Sequence, residues 1–132
     1  MPSPGFILEF YLNASPAKVM DLLSDSELIT DWSGAEALVE KKIGGKVVLF
    51  DGWMEGKILK ISGDELAYTW KPSNWPEEIA ASEVYYTLSA NGKGTKIVLE
   101  HTRFPNSKEM EDHKSGWSEQ FFDLIENYLE NK

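Results

Sequence analysis

Two histidines and five tryptophans are the residues best equipped for chemistry in this chain. His101 continues the alternation of Ile97 and Leu99 along a β-rich run, which places an imidazole on an inward surface. There it would orient a ligand or transfer a proton. A buried imidazole satisfied by a hydroxyl such as that of Tyr86 or Tyr68 is the favoured alternative. His113 precedes Trp117 by one helical turn, so it would meet a cavity mouth or, as the favoured placement, face solvent. Two histidines without a carboxylate partner make a weak metal site, and neither a metal nor a cofactor is expected. Arg103 has the parity of His101 and could neutralise an anionic head group, although a strand-end arginine usually reaches solvent.

Trp32, Trp53, Trp70, Trp75 and Trp117 each bring a large apolar face and one N–H donor, the makings of an aromatic pocket. Ordinary core packing is the alternative. Trp70 and Trp117 fall on inward stripes and suit both; Trp53 and Trp75, in turn and loop positions, are expected to guard an entrance. Together with Phe50, Tyr68, Tyr86, His101 and Phe121 they form the candidate ligand-binding set. Gly116 interrupts a helical pattern at a cost of about 1 kcal/mol relative to alanine, which predicts a close approach, a kink or room for a ligand. No Ser-His-Asp constellation, phosphate loop or nucleotide fingerprint is present, and Gly92-Lys93-Gly94 reads as a plain β-turn. Asp51, Glu55, Glu77 and Glu78 lie near turns, and their pattern assigns them no role in acid–base chemistry. No catalytic residue is assigned.

The elements that must position these residues follow from periodicity. Trp117, Phe121, Leu124, Ile125 and Tyr128 recur at i, i+4, i+7, i+8 and i+11, one stripe of an amphipathic helix from Asn106 to about Glu130. Asn106 with Glu109 makes its capping pair, and its length of roughly 35 Å would cross a whole small sheet. Phe6, Leu8, Phe10 and Leu12 alternate as an opening strand. Ser15-Pro16 then caps a short helix ending near Ser24, and a further helical turn around Glu27 to Trp32 stops at Gly34. From Ala35 to Arg103, short β-branched and aromatic runs are separated by Gly, Asn and Pro. Ala35 to Ile43 pairs with Lys46 to Phe50 through Gly44-Gly45, and Asp51-Gly52 turns into Glu55 to Ser62. Gly63-Asp64 leads to Glu65 to Lys71, Pro72 to Ala81 is a loop, and Ser82 to Ser89 turns into Thr95 to Arg103. Strand, short helices, a run of strands and one long helix make an α+β fold with an antiparallel sheet. Such a sheet curls, and a helix laid across its concave side leaves a gap as the natural ligand site.

The length of 132 residues suits a single domain with a core over about residues 6–130. Thirteen basic against twenty-two acidic residues leave a formal charge of -9, which disfavours nucleic acid and anionic lipid as partners. The absence of cysteine removes disulfides, zinc-thiolate sites and thiol nucleophiles, and fits a reducing cytoplasm. The opening Met-Pro-Ser-Pro-Gly lacks the features of a secretory signal, and no apolar run reaches bilayer length. A cytoplasmic monomer or homodimer without membrane insertion is expected.

Several stretches resemble a known family in combination: Asp51-Gly52 with Gly56-Lys57-Ile58, Tyr68-Thr69-Trp70, Gly94-Thr95-Lys96-Ile97 leading to Leu99-Glu100-His101-Thr102, and His113 with Gly116-Trp117. Over Phe6 to Leu129 the chain resembles homologues of the activator of heat-shock protein 90 ATPase, within the START-like, helix-grip superfamily. The resemblance implies a curved antiparallel sheet of six to seven strands gripping the carboxy-terminal helix. It implies non-enzymatic binding of a small apolar or amphipathic, lipid-like ligand in the cavity between them. It also implies two alternatives: a chaperone-associated or regulatory protein-interaction domain using the acidic outer surface, and a cyclase- or hydrolase-like enzyme in the same cavity. A perturbed histidine or carboxylate deep in the pocket would mark the last.

Overall fold

Alternating apolar residues on consecutive strands bury one face of a sheet only if their registers agree, and here they do. The computed structural model describes residues 5–131; the opening Met1 to Pro4, read above for a signal segment, lies outside the described residues. Strand β1 (Phe6–Leu12) leads to helices α1 (Pro16–Ser24) and α2 (Ser26–Ser33), then β2 (Leu38–Val39), β3 (Lys46–Leu49), β4 (Met54–Ile61), β5 (Glu65–Pro72), β6 (Ser82–Asn91) and β7 (Gly94–Thr102). Helix α3 (Ser107–Trp117), a π-helical turn (Ser118–Phe122) and α4 (Asp123–Glu130) close the chain.

The seven strands form one antiparallel sheet in the order β1-β7-β6-β5-β4-β3-β2. Its register aligns Phe6, His101, Val84 and Tyr68 in one inward row, with Leu8, Leu99, Tyr86 and Leu66 in the next. The carboxy-terminal helix lies across these rows, so the helix-grip architecture is present, with α1 and α2 after the first strand as expected. Local chemistry sets the boundaries. Ser15 caps α1 through Lys18 N–H, Asp25 caps α2 through Leu28 N–H, Asn106 caps α3 through Glu109 N–H, and Gly34 ends α2 with φ 74°.

The structure departs from periodicity in three places. The strand expected over Ala35 to Ile43 is reduced to Leu38–Val39, and the turn before β3 is closed by Gly45 N–H to Lys42 O rather than by a two-residue Gly-Gly link. Arg103 has φ 67°, which breaks strand parity and sends its guanidinium outward to Glu83 at 3.5 Å. It therefore does not share the His101 face. Finally, the long helix is not α-helical throughout: the π-helical turn brings two consecutive rings, Phe121 and Phe122, against the core. Phe122 stacks on Phe10 with centroids 4.0 Å apart, while Phe121 meets Trp32 edge-on at 4.8 Å.

Candidate functional site

Helix α3 is tied to the sheet side by tryptophan N–H groups. Trp75, in the loop after β5, donates to Glu109 Oε1 at 2.8 Å; Trp70 on β5 donates to His113 Nε2 at 3.1 Å; and Trp117 on α3 donates to His101 Nδ1 at 3.0 Å. An indole N–H only donates, so it fixes the acceptor nitrogen on each imidazole. His101 consequently carries its proton on Nε2, donating to Ser82 Oγ at 2.8 Å, and Ser82 donates on to Trp70 O at 2.9 Å. In the same way His113 donates from Nδ1 to Glu109 O at 2.9 Å.

Both rings are held neutral. Burial, reinforced by repulsion from His113, pushes His101 down to about 2, and burial also lowers His113 against the opposing pull of the Glu109 carbonyl. Neither imidazole has an open nitrogen, so the proton-transfer role considered for His101 has nothing to work through. The hydroxyls of Tyr68 and Tyr86 pair with each other at 2.6 Å, and burial raises both well above the usual tyrosine range. His101 is thus satisfied by Ser82 and Trp117, not by the tyrosines. Among the described residues, no group of three or more His, Cys, Asp or Glu side chains could hold a metal ion.

In front of this layer lies a pocket of about 460 Å³ between α3, the π-helical turn, β5 and the turn joining β3 to β4. Of the candidate residues, Phe50, Trp53, Trp70, Trp117 and Phe121 line it. Phe50 and Asp51 hold φ values of 55° and 58°, and this tight turn sets Phe50 and Trp53 on one wall. Gly116 faces the opening, and a Cβ built there would meet nothing within 4 Å. Room for a ligand, among the options weighed for this glycine, matches its surroundings.

The other five candidates sit elsewhere. Trp32 is buried behind Phe121 and donates to Leu22 O at 2.8 Å. Tyr68, Tyr86 and His101 form the layer beneath Trp70 and Trp117. Trp75 is buried and holds Glu109, so it does not guard the entrance, whereas Trp53 is 38% exposed at the rim. His113 is a half-buried lining residue rather than a solvent-facing one. Sequence reasoning missed Asn74, Glu109, Asp112 and Gln120 as lining residues. Helical spacing held the signal for three of them, since Glu109, Asp112, His113, Gly116 and Gln120 fall at i, i+3, i+4, i+7 and i+11.

Comparison with known proteins fits this geometry into a lineage. The family described as "Activator of Hsp90 ATPase homolog 1-like protein" matches residues 13–130. The chain belongs to that family. Within this Hsp90-activator family, it is 28% identical over 131 residues to the mouse "Activator of 90 kDa heat shock protein ATPase homolog 2", a match covering 98% of this chain. It spans only 39% of that relative's length. A solved structure described as an HSP90 activator from Plasmodium falciparum superposes with a TM-score of 0.85 at 28% identity, covering 95% of each chain. The Aha1 dimer from Colwellia psychrerythraea shares the fold, with a TM-score of 0.76 at 17% identity over 92% of each chain. The chain is accordingly a START-like, helix-grip member of the Hsp90-activator family, and no helix among its described residues is long and apolar enough to cross a membrane.

Proposed function

We propose that the chain is a regulatory protein-interaction domain that binds an ATPase of the 90 kDa heat-shock class and raises its turnover. The observation that carries this reading is the match to the Plasmodium falciparum HSP90 activator, because it runs along 95% of both chains at 28% identity. A chain of this extent bears that description. The outer side of the carboxy-terminal helix supplies a surface of suitable chemistry: Glu111, Glu119, Asp123, Glu126 and Glu130 are all exposed there. Such an acidic ridge steers and orients a basic partner surface. The encounter takes place in the cytoplasm, with this chain as monomer or homodimer.

Direct binding to a purified 90 kDa heat-shock protein tests the reading. The complex should weaken several-fold from about 0.05 to about 0.3 M salt as the Debye length shortens. Reversing charge with Glu119→Lys and Asp123→Lys should weaken it further, while Gly116→Leu, which fills the pocket, should leave it intact. Absence of binding at low salt would contradict the reading.

A second reading is favoured by one observation, the pocket beside Gly116. On it, the space between sheet and helix holds a small apolar or amphipathic, lipid-like molecule without altering it. Native mass spectrometry of protein purified from its own host should show an added mass that Gly116→Leu abolishes. A bare chain that also fails to take up an added amphiphile would contradict it.

A further inference from the structure

The pocket lining divides into two chemistries. Its walls are aromatic, with Phe50, Trp53, Trp70, Trp117 and Phe121, while the α3 side contributes two carboxylates, Glu109 and Asp112, three residues apart on one helix face. No lysine or arginine is among the lining residues. Glu109 is 25% exposed and spends one lone-pair site on the Trp75 indole at 2.8 Å, leaving acceptor capacity for another donor. Among the described residues Asp112 pairs at 3.1 Å with Lys108, whose side chain is 83% exposed, a contact that solvent and salt readily loosen. Trp53 stands edge-on to Trp70 at 6.1 Å and 79° and stacks one face on His113 at 6.1 Å. Of the two indoles it is Trp53, 38% exposed, that reaches the opening, while Trp70 is buried against Tyr68 and Trp117.

These features discriminate between occupants by charge. An indole face attracts a cation through its quadrupole, and a nearby carboxylate adds a charge-assisted hydrogen bond. An anion would meet two carboxylates in a chain of formal charge -9. A neutral apolar molecule would fill the space but strip water from the carboxylates without replacing its hydrogen bonds.

We propose that this pocket selects an organic cation with an apolar body. The ammonium or amidinium head sits between Glu109, Asp112 and the indole of Trp53, and the body lies against Phe50, Trp117 and Phe121. The volume of about 460 Å³ lies within the ordinary range for small-molecule sites. The proposal rests on the second reading above and adds charge selectivity to it.

The test uses three probes of one chain length below their micellar range: octylammonium, 1-octanol and octanoate. Binding is read by calorimetry and by the indole N–H resonances of Trp53, Trp70 and Trp117. The cation should bind about tenfold more tightly than the alcohol, and octanoate more weakly than either. The Glu109→Gln, Asp112→Asn double variant keeps the Trp75 acceptor and should shrink the cation's advantage to the roughly twofold to threefold that the indole alone supplies, while the alcohol's own affinity stays unchanged. Gly116→Leu should abolish binding of all three. Equal affinities for cation and alcohol in the native chain, with Gly116→Leu still blocking both, would overturn the charge selectivity and leave the pocket reading standing. A cation preference undiminished in the double variant would assign it to the general acidity of the surface and also overturn the proposal. Failure of all three probes to bind would overturn both.

Discussion

The Trp117 indole donates to His101 Nδ1 at 3.0 Å, a buried bond that joins the end of α3 to β7, the strand next to the β1 edge of the sheet. It fixes one tautomer of His101, and through Nε2 and Ser82 it extends to the backbone of β5. Trp117→Phe keeps most of the ring but leaves a buried acceptor without its donor. A loss of about 1 to 3 kcal/mol is expected by urea denaturation. A change within about 0.5 kcal/mol would show that water or another donor reaches His101.

Burial of the same imidazole makes stability depend on pH. His101 has its folded value near 2, against an ordinary 6.5, and His113 is displaced in the same direction. Below about pH 6.5 the unfolded chain takes up protons that the folded chain refuses, so stability is complete above that value and declines as pH falls toward 2. Between pH 6 and 4 the His101 contribution should approach ~1.4 kcal/mol per pH unit. Denaturation midpoints at pH 7, 6, 5 and 4 check the slope, and His101→Asn should flatten it. A slope identical in the variant would assign the effect to other groups.

Adjacent phenylalanines should respond unequally to truncation. Phe122 stacks on Phe10 within closed packing, whereas Phe121 has packed neighbours on one side and the pocket on the other. Phe122→Ala should cost about 4 kcal/mol and Phe121→Ala about 3 kcal/mol, because truncation beside existing open space creates less new cavity. The reverse order would mean that the pocket closes over Phe121 in solution.

Gly116→Ala should stabilise the chain by about 0.5 to 1 kcal/mol, since a Cβ there meets nothing within 4 Å and alanine is the better helix former. Thermal unfolding checks it, and a fall in Tm would show that the helix needs the glycine's freedom.

Most of the fold was legible because it is written in short-range chemistry. Alternation gave the inward faces of β1, β5, β6 and β7, and Ser15, Gly34 and Asn106 marked helix ends that the structure keeps. What escaped depends on backbone conformation that side-chain patterns do not encode. A positive φ at Arg103 reverses the parity argument, and the π-helical turn adds Phe122 to a stripe that 3.6-residue spacing leaves it out of. The lining of the candidate pocket was half legible. Size and aromaticity pointed to Phe50, Trp53, Trp70, Trp117 and Phe121, but Trp75 was misplaced because a loop position says nothing about whether its ring folds inward. Glu109 was assigned only to a helix cap, although it also faces the pocket.

The most direct test of the account is the ATPase rate of a purified 90 kDa heat-shock protein titrated with this chain and, in parallel, with its Gly116→Leu and Glu119→Lys, Asp123→Lys variants. A saturable rise in rate is expected, which the pocket-filling variant reproduces and the charge-reversed variant reduces. A rate unchanged at saturating chain would contradict it.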